Sequence, residues 1–99
     1  MLTGRLSLPP MAKTKKKLKI VEADLTAEDC WGEAEPLGGN RYEIRIDPDH
    51  KTERSRANTL VHEALHCGDM SMPEGKVRHL TAVVVDALWR QGYRRVRLR

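Results

Sequence analysis

The sequence predicts an α+β domain in which a small antiparallel sheet packs on two helices. Two changes of periodicity and one turn signal predict it. Tyr42, Ile44 and Ile46 alternate with Arg41, Glu43 and Arg45, the period of two expected of a half-buried strand. Ala57, Leu60, Val61, Ala64 and Leu65 then recur at helical spacing, and a helical spacing returns after Pro73. Gly38-Gly39-Asn40 before the alternating run marks a tight turn and hence a hairpin.

Residues 1–17 hold a Pro-Pro pair, scattered Ser, Thr and Gly, and the start of the run "KTKKKLK", which reads as a disordered basic segment. Met11 opens a stretch, "MAKTKKKLKI", that reads as an ordinary start, so it stands beside Met1 as a candidate first residue. The folded domain is expected over residues 18–92. "LKIV" at Leu18 to Val21 suits a short strand, and the polar stretch Asp24 to Cys30 suits a turn or one helical turn. "CWGEAE" lies ahead of the glycine turn and completes a hairpin or meander whose last strand is Tyr42 to Asp47.

The first helix is expected from Thr52, a good N-cap, to Cys67, with Gly68 placed to end it. The second runs from Pro73, suited to a first helical position, to Gln91, with Gly92 as its stop. Val77, Leu80, Thr81, Val84 and Leu88 form its expected buried stripe. Val83 to Val85 has strand propensity, but the length and spacing of the segment favour helix. Residues 93–99 are read as a basic tail.

At 99 residues the chain is one small domain, near the size at which a bound metal or a partner adds needed stability. It is 39% hydrophobic and 32% charged with no Phe, so its core is aliphatic. No apolar run approaches the roughly 20 residues of a membrane span, and Met1 to Pro10 lacks the apolar centre of a signal peptide, so a cytoplasmic location is expected. Cys30 and Cys67 fit that compartment as packed thiols rather than a disulfide. The net charge of +4 sits mostly at the two ends, which allows weak nucleic-acid contact without any aromatic platform to support it.

"TLVHEALHCGD", Thr59 to Asp69, carries the chemistry. His62 and His66 are four residues apart and share one helical face, so both imidazoles can reach one zinc ion at about 2.0–2.1 Å. Glu63 lies beside them and would act as the base that takes a proton from the attacking water. The bland alternative is two half-buried histidines with Glu63 as a salt-bridge partner. Cys67 points about 100° from His66 and belongs to the core. Tyr42 and Tyr93 are read as packed or surface residues rather than oxyanion donors.

With its strand ending "IRID", then "NTLVHEALH", then "MPEGKVRHLTAVVVDALWRQG", the chain from Leu18 onward resembles the zincin metallopeptidases. More narrowly, it resembles the small single-domain phage and prophage proteins related to the ImmA/IrrE class. The resemblance implies a minimal zincin-like fold, a strand bordering a substrate cleft, zinc on His62, His66 and a downstream acid, and Glu63 as the base. It also implies a peptide or protein substrate inside the cell, a transcriptional repressor being one candidate. "HCGD" departs from that pattern, because relatives often continue with apolar or small residues and a longer loop.

Helical geometry nominates the third ligand independently. Glu74 falls about 60° from Val77, inside the second helix's stripe, and so faces the first helix. Asp69, just past the first helix, is its rival. The bland reading of Glu74 is a first-turn acid favoured by the helix dipole. His79 and Asp86 project outward by the same count, and His50 is read as exposed. Three functions stay open at this level: a zinc peptidase, a non-catalytic zinc-stabilised module that binds DNA or an acidic protein through its basic ends, and a metal-free scaffold.

Overall fold

The computed structural model describes residues 16–96. Most of the expected basic segment and the last three residues of the tail therefore lie outside the described residues. Lys16 and Lys17 belong to the fold. Lys16 Nζ donates to the carbonyls of Cys67 and Gly68, each at 2.8 Å, where a helix end leaves acceptors unpaired.

Strand β1 spans Lys17–Glu22, β2 Gly32–Gly38 and β3 Arg41–Ile46. Helix α1 spans Glu53–Gly68 and α2 Glu74–Arg90, which completes an α+β fold. Between β1 and β2 lies a single 3-10 turn at Thr26–Glu28. The β2–β3 hairpin turns at Gly39-Asn40, and Gly38 and Gly39 supply the positive φ angles, 96° and 61°, that the turn requires.

The sheet is mixed, and the expected all-antiparallel arrangement is corrected here. Its order is β1-β3-β2, with β2 antiparallel and β1 parallel to β3. After β1 the chain crosses the end of β3 and returns as the far edge strand. Asp47 fastens that crossing: its buried carboxylate accepts from the backbone N–H of Leu25 and of Asp49, both at 2.9 Å. Leu25, the residue before the 3-10 turn, is itself 2% exposed. β3, the best-patterned strand, occupies the centre and has no free edge.

Tyr42, Ile44 and Ile46 face inward with Ala34, and Ile44 and Ile46 are fully buried. Each such burial contributes about 1.5–3 kcal/mol. On the opposite face, Arg45 binds Glu33 at 2.6 Å and Glu35 at 2.9 Å, and also Glu43. Helix α1 lies across β2 and β3, and α2 packs on α1 alone. Neither helix packs over β1, which α1 touches through the Arg56–Glu22 pair at 3.8 Å, so Leu18 and Ile20 share the face of Ile44 by register yet remain 46% and 47% exposed.

The helices begin and end close to expectation, by partly different means. Thr52 caps α1 by accepting from Ser55 N at 3.0 Å, but Gly68 is the last helical residue and Asp69, in extended conformation, is the cap. Pro73 is the cap of α2 rather than its first residue. Val83 to Val85 are helical. The expected stripe is rotated: Val77, Thr81 and Val85 are buried, whereas Val84 is 38% exposed. Because α2 meets only α1, its buried face centres about 40° toward Glu74 and away from Val84.

The expected basic tail folds back onto the helices in its described part. Arg95 pairs with Glu53 through two hydrogen bonds, at 3.1 and 2.8 Å, and Arg94 stacks over the Trp89 ring at 4.3 Å.

Candidate metal centre

A short connection builds the centre. Asp69 Oδ1 accepts from Ser71 N at 3.0 Å and from Ser71 Oγ at 2.6 Å, and the Asp69 carbonyl accepts from Met72 N at 3.1 Å. The resulting tight turn reverses the chain, so that the first residue of α2, Glu74, returns against the face of α1 that carries the histidines.

Glu74 Oε1 stands 3.0 Å from Nε2 of His62 and 3.0 Å from Nε2 of His66. The imidazole centroids are 4.9 Å apart with their planes at 68°. One ligand atom from each of the three residues lies within 4.8 Å of the others. The histidine side chains are 23% and 22% exposed, at the margin of the buried face, and Glu74 is 50% exposed. Asp69 is turned to Ser71 and takes no part in this group.

Two imidazole nitrogens and one carboxylate oxygen form a donor set that suits zinc, with three protein ligands and a fourth position left for water or substrate. The same Glu74 oxygen also accepts a hydrogen bond from His66 and lies within ion-pair distance of His62. Partial desolvation by itself would raise the Glu74 carboxyl. The hydrogen bond from His66 and the charges of His62, His66 and Arg78 outweigh it and hold the group below its ordinary value.

Glu63 is adjacent in sequence but differently placed. It lines a cleft of about 460 Å³ together with His62, at the start of β2. Burial pushes its carboxyl up from the ordinary value, with the negative charges of Glu74 and Glu33 adding to the effect and the two histidines opposing it. A carboxylate so displaced is a stronger base once ionised, which suits proton transfer from water.

Gly32 makes this closeness possible. A Cβ there would lie 2.4 Å from Thr59 Cγ2 and 3.4 Å from Glu63 Cγ, so only glycine lets β2 begin directly against α1. Thr59 is held from its other side by His50, whose Nδ1–H donates to the Asp47 carbonyl at 2.7 Å while Nε2 accepts the Thr59 hydroxyl at 2.8 Å. His50 is thus half-buried and structural, not an exposed residue. Its ring also packs against Trp31, at 4.9 Å between centroids, on the wall of the cleft.

The sequence reading missed Gly32, Trp31, His50 and Arg78 as contributors. Arg78 had one available signal, its position one helical turn after Glu74. The other three acquire their roles only through contacts between distant segments. Neither Tyr42 nor Tyr93 lines the cleft, and His79 is exposed. Asp86 does not point freely outward but pairs with Arg90 at 2.7 Å and with Arg54 of α1 at 3.6 Å. Cys67 is 1% exposed and belongs to the core.

Compared with known proteins, the chain matches no family model, no curated protein and no solved structure.

Proposed function

We propose that this chain is a zinc-dependent peptidase of the zincin type that hydrolyses a peptide bond in a protein within the cytoplasm, the host cytoplasm if the chain is phage-encoded. The observation that carries the reading is Glu74 Oε1, placed 3.0 Å from both histidine nitrogens while Glu63 stays outside the trio. Ligands and base are thereby separated within one motif. Zinc, when bound, would supply Lewis acidity for the scissile carbonyl and acidify a water. Glu63 takes the proton of that attacking water and returns it to the leaving amine.

The resemblance to zincins implies that the strand Tyr42 to Asp47 borders the substrate. That strand is central and paired on both sides, so a peptide added as a further strand belongs on the outer edge of β2, which begins beside Glu63. Among the described residues no helix is long and apolar enough to cross a membrane. Cys30 and Cys67 are free thiols, in keeping with a reducing compartment. The alternative, a zinc-stabilised module that binds nucleic acid through basic ends, has less to draw on within the fold, because Arg94 and Arg95 are engaged internally.

The test separates ligation from catalysis. Glu63→Gln is expected to retain stoichiometric zinc and lose cleavage of a quenched-fluorescent peptide library, on the order of 100-fold or more. His62→Ala and His66→Ala are expected to lose zinc itself. Unchanged cleavage by Glu63→Gln would overturn the peptidase reading even with zinc present, and the zinc-stabilised binding module would replace it.

A further inference from the structure

The cleft that holds His62 and Glu63 is walled on its far side by α2, and Arg78 lines that wall. Every other arginine among the described residues holds an ion pair or hydrogen bond, whether to an acid or to a main-chain carbonyl. Arg78 holds none, and its charge is felt by Glu74 without a direct pair being formed. Three residues on, Thr81 lines the same cleft, and its buried hydroxyl also lacks a hydrogen-bond partner. Hydrogen-bonding capacity is therefore unspent on this wall of the cleft.

A guanidinium is the best match among side chains for a carboxylate, because its planar fork donates two parallel hydrogen bonds and cannot lose its charge. Arg78 is one helical turn from Glu74, roughly 6 Å along α2, which corresponds to about two residues of extended peptide. Ser55, Asn58 and Thr59 add only neutral polar groups to the cleft, and its single anion is Glu63. The anion that Arg78 lacks must then come from the ligand.

Resting on the peptidase reading above, we propose that Arg78 is a specificity residue that selects peptides bearing a carboxylate within about two residues of the scissile bond. That carboxylate is either an acidic side chain or a free C-terminus. The two share one chemistry at the guanidinium and are separated by the choice of peptide.

The experiment measures binding, not turnover. The Glu63→Gln protein is titrated calorimetrically with alanine-based octapeptides that carry Glu or Gln at one central position, acetylated and amidated at their ends. A third series carries Gln and a free C-terminal carboxylate, with the chain shortened stepwise. A carboxylate is expected to tighten binding about tenfold, the scale of one charge-assisted hydrogen-bonded pair. A gain from central Glu marks side-chain selection, and a gain confined to the free acid marks end recognition. Either gain should vanish in Glu63→Gln/Arg78→Gln and persist in part in Glu63→Gln/Arg78→Lys.

Equal binding of Glu and Gln peptides with no gain from a free acid, no detectable binding in any series, or a gain that survives Arg78→Gln overturns the proposal. The last outcome would mean that the carboxylate goes to the metal. A uniform loss across all peptides in Arg78→Gln also overturns it, since that marks contact with the peptide backbone. Zinc content measured on the same samples keeps the two readings apart. Arg78-dependent selectivity in protein that takes up no zinc would uphold recognition by Arg78 and sink the peptidase, whereas zinc without selectivity would sink recognition by Arg78 and leave the peptidase reading to the Glu63→Gln cleavage test.

Discussion

Single atoms decide several of the energetic outcomes in this fold. Thr81 is 4% exposed with its hydroxyl unpartnered, and an unpaired buried hydroxyl costs about 1–3 kcal/mol of desolvation with nothing in return. Thr81→Val, which keeps the shape and removes the hydroxyl, is therefore expected to leave stability unchanged or raise it by up to about 1 kcal/mol in urea denaturation. A loss of more than that amount would mean that the hydroxyl is satisfied in solution. Asp47 is the opposite case. Its carboxylate answers two backbone N–H groups at a 4% exposed position, so Asp47→Ala should cost about 2–3 kcal/mol by the same measurement, through the stranded N–H of Leu25. Residue chemistry alone marks neither position, since Thr on a helix and Asp before Pro are ordinary choices.

Between elements, the contact of β2 with α1 has the least slack. The methyl of Thr59 occupies the space that a side chain at residue 32 would need, and the Thr59 hydroxyl is tied to His50. Gly32→Ala is expected to destabilise by about 1–3 kcal/mol and to displace Glu63 from the cleft. Thr59→Ser removes the obstructing methyl and keeps the hydrogen bond, so in that background the cost of Gly32→Ala should fall by at least half. A double-mutant cycle in urea reads this coupling directly, and simple additivity would contradict it. The helix start is a separate, weaker element: Thr52→Ala removes the cap on Ser55 N and should cost about 1 kcal/mol.

For the molecule as a whole, the central question is what joins α2 to the rest, because it packs on α1 and on no strand. Glu74 at the head of α2 meets both histidines of α1, so a cation held there would tie the two helices together. Zinc at about a thousandfold above its dissociation constant should add about 4 kcal/mol to stability. For a domain this small that is a rise of roughly 15 °C or more in Tm. Calorimetric melting with zinc and with a chelator checks it. The increment should be absent from His62→Ala and from Glu74→Ala and present in Asp69→Ala, whose carboxylate is committed to the turn. An increment that survives Glu74→Ala would move the third ligand elsewhere.

What the sequence determined by itself was whatever is periodic within one element. The two histidines share a face because a helix repeats every 3.6 residues, and Glu74 falls on the inner side of α2 for the same reason. The β2–β3 hairpin was legible because Gly-Gly-Asn carries its own backbone preference. The tertiary structure alone decided which elements meet. It paired β1 in parallel with β3, a choice made by the pinning of Leu25 to Asp47 rather than by any local pattern. It rotated the buried stripe of α2 away from Val84, since amphipathic spacing defines a face but not the neighbour that will cover it. It gave Gly32 its role through Thr59, and it left Arg78 as the unpaired cation of the cleft. Spacing along the chain sets direction within an element, whereas closeness between elements depends on side-chain volumes and buried hydrogen bonds from segments far apart in sequence.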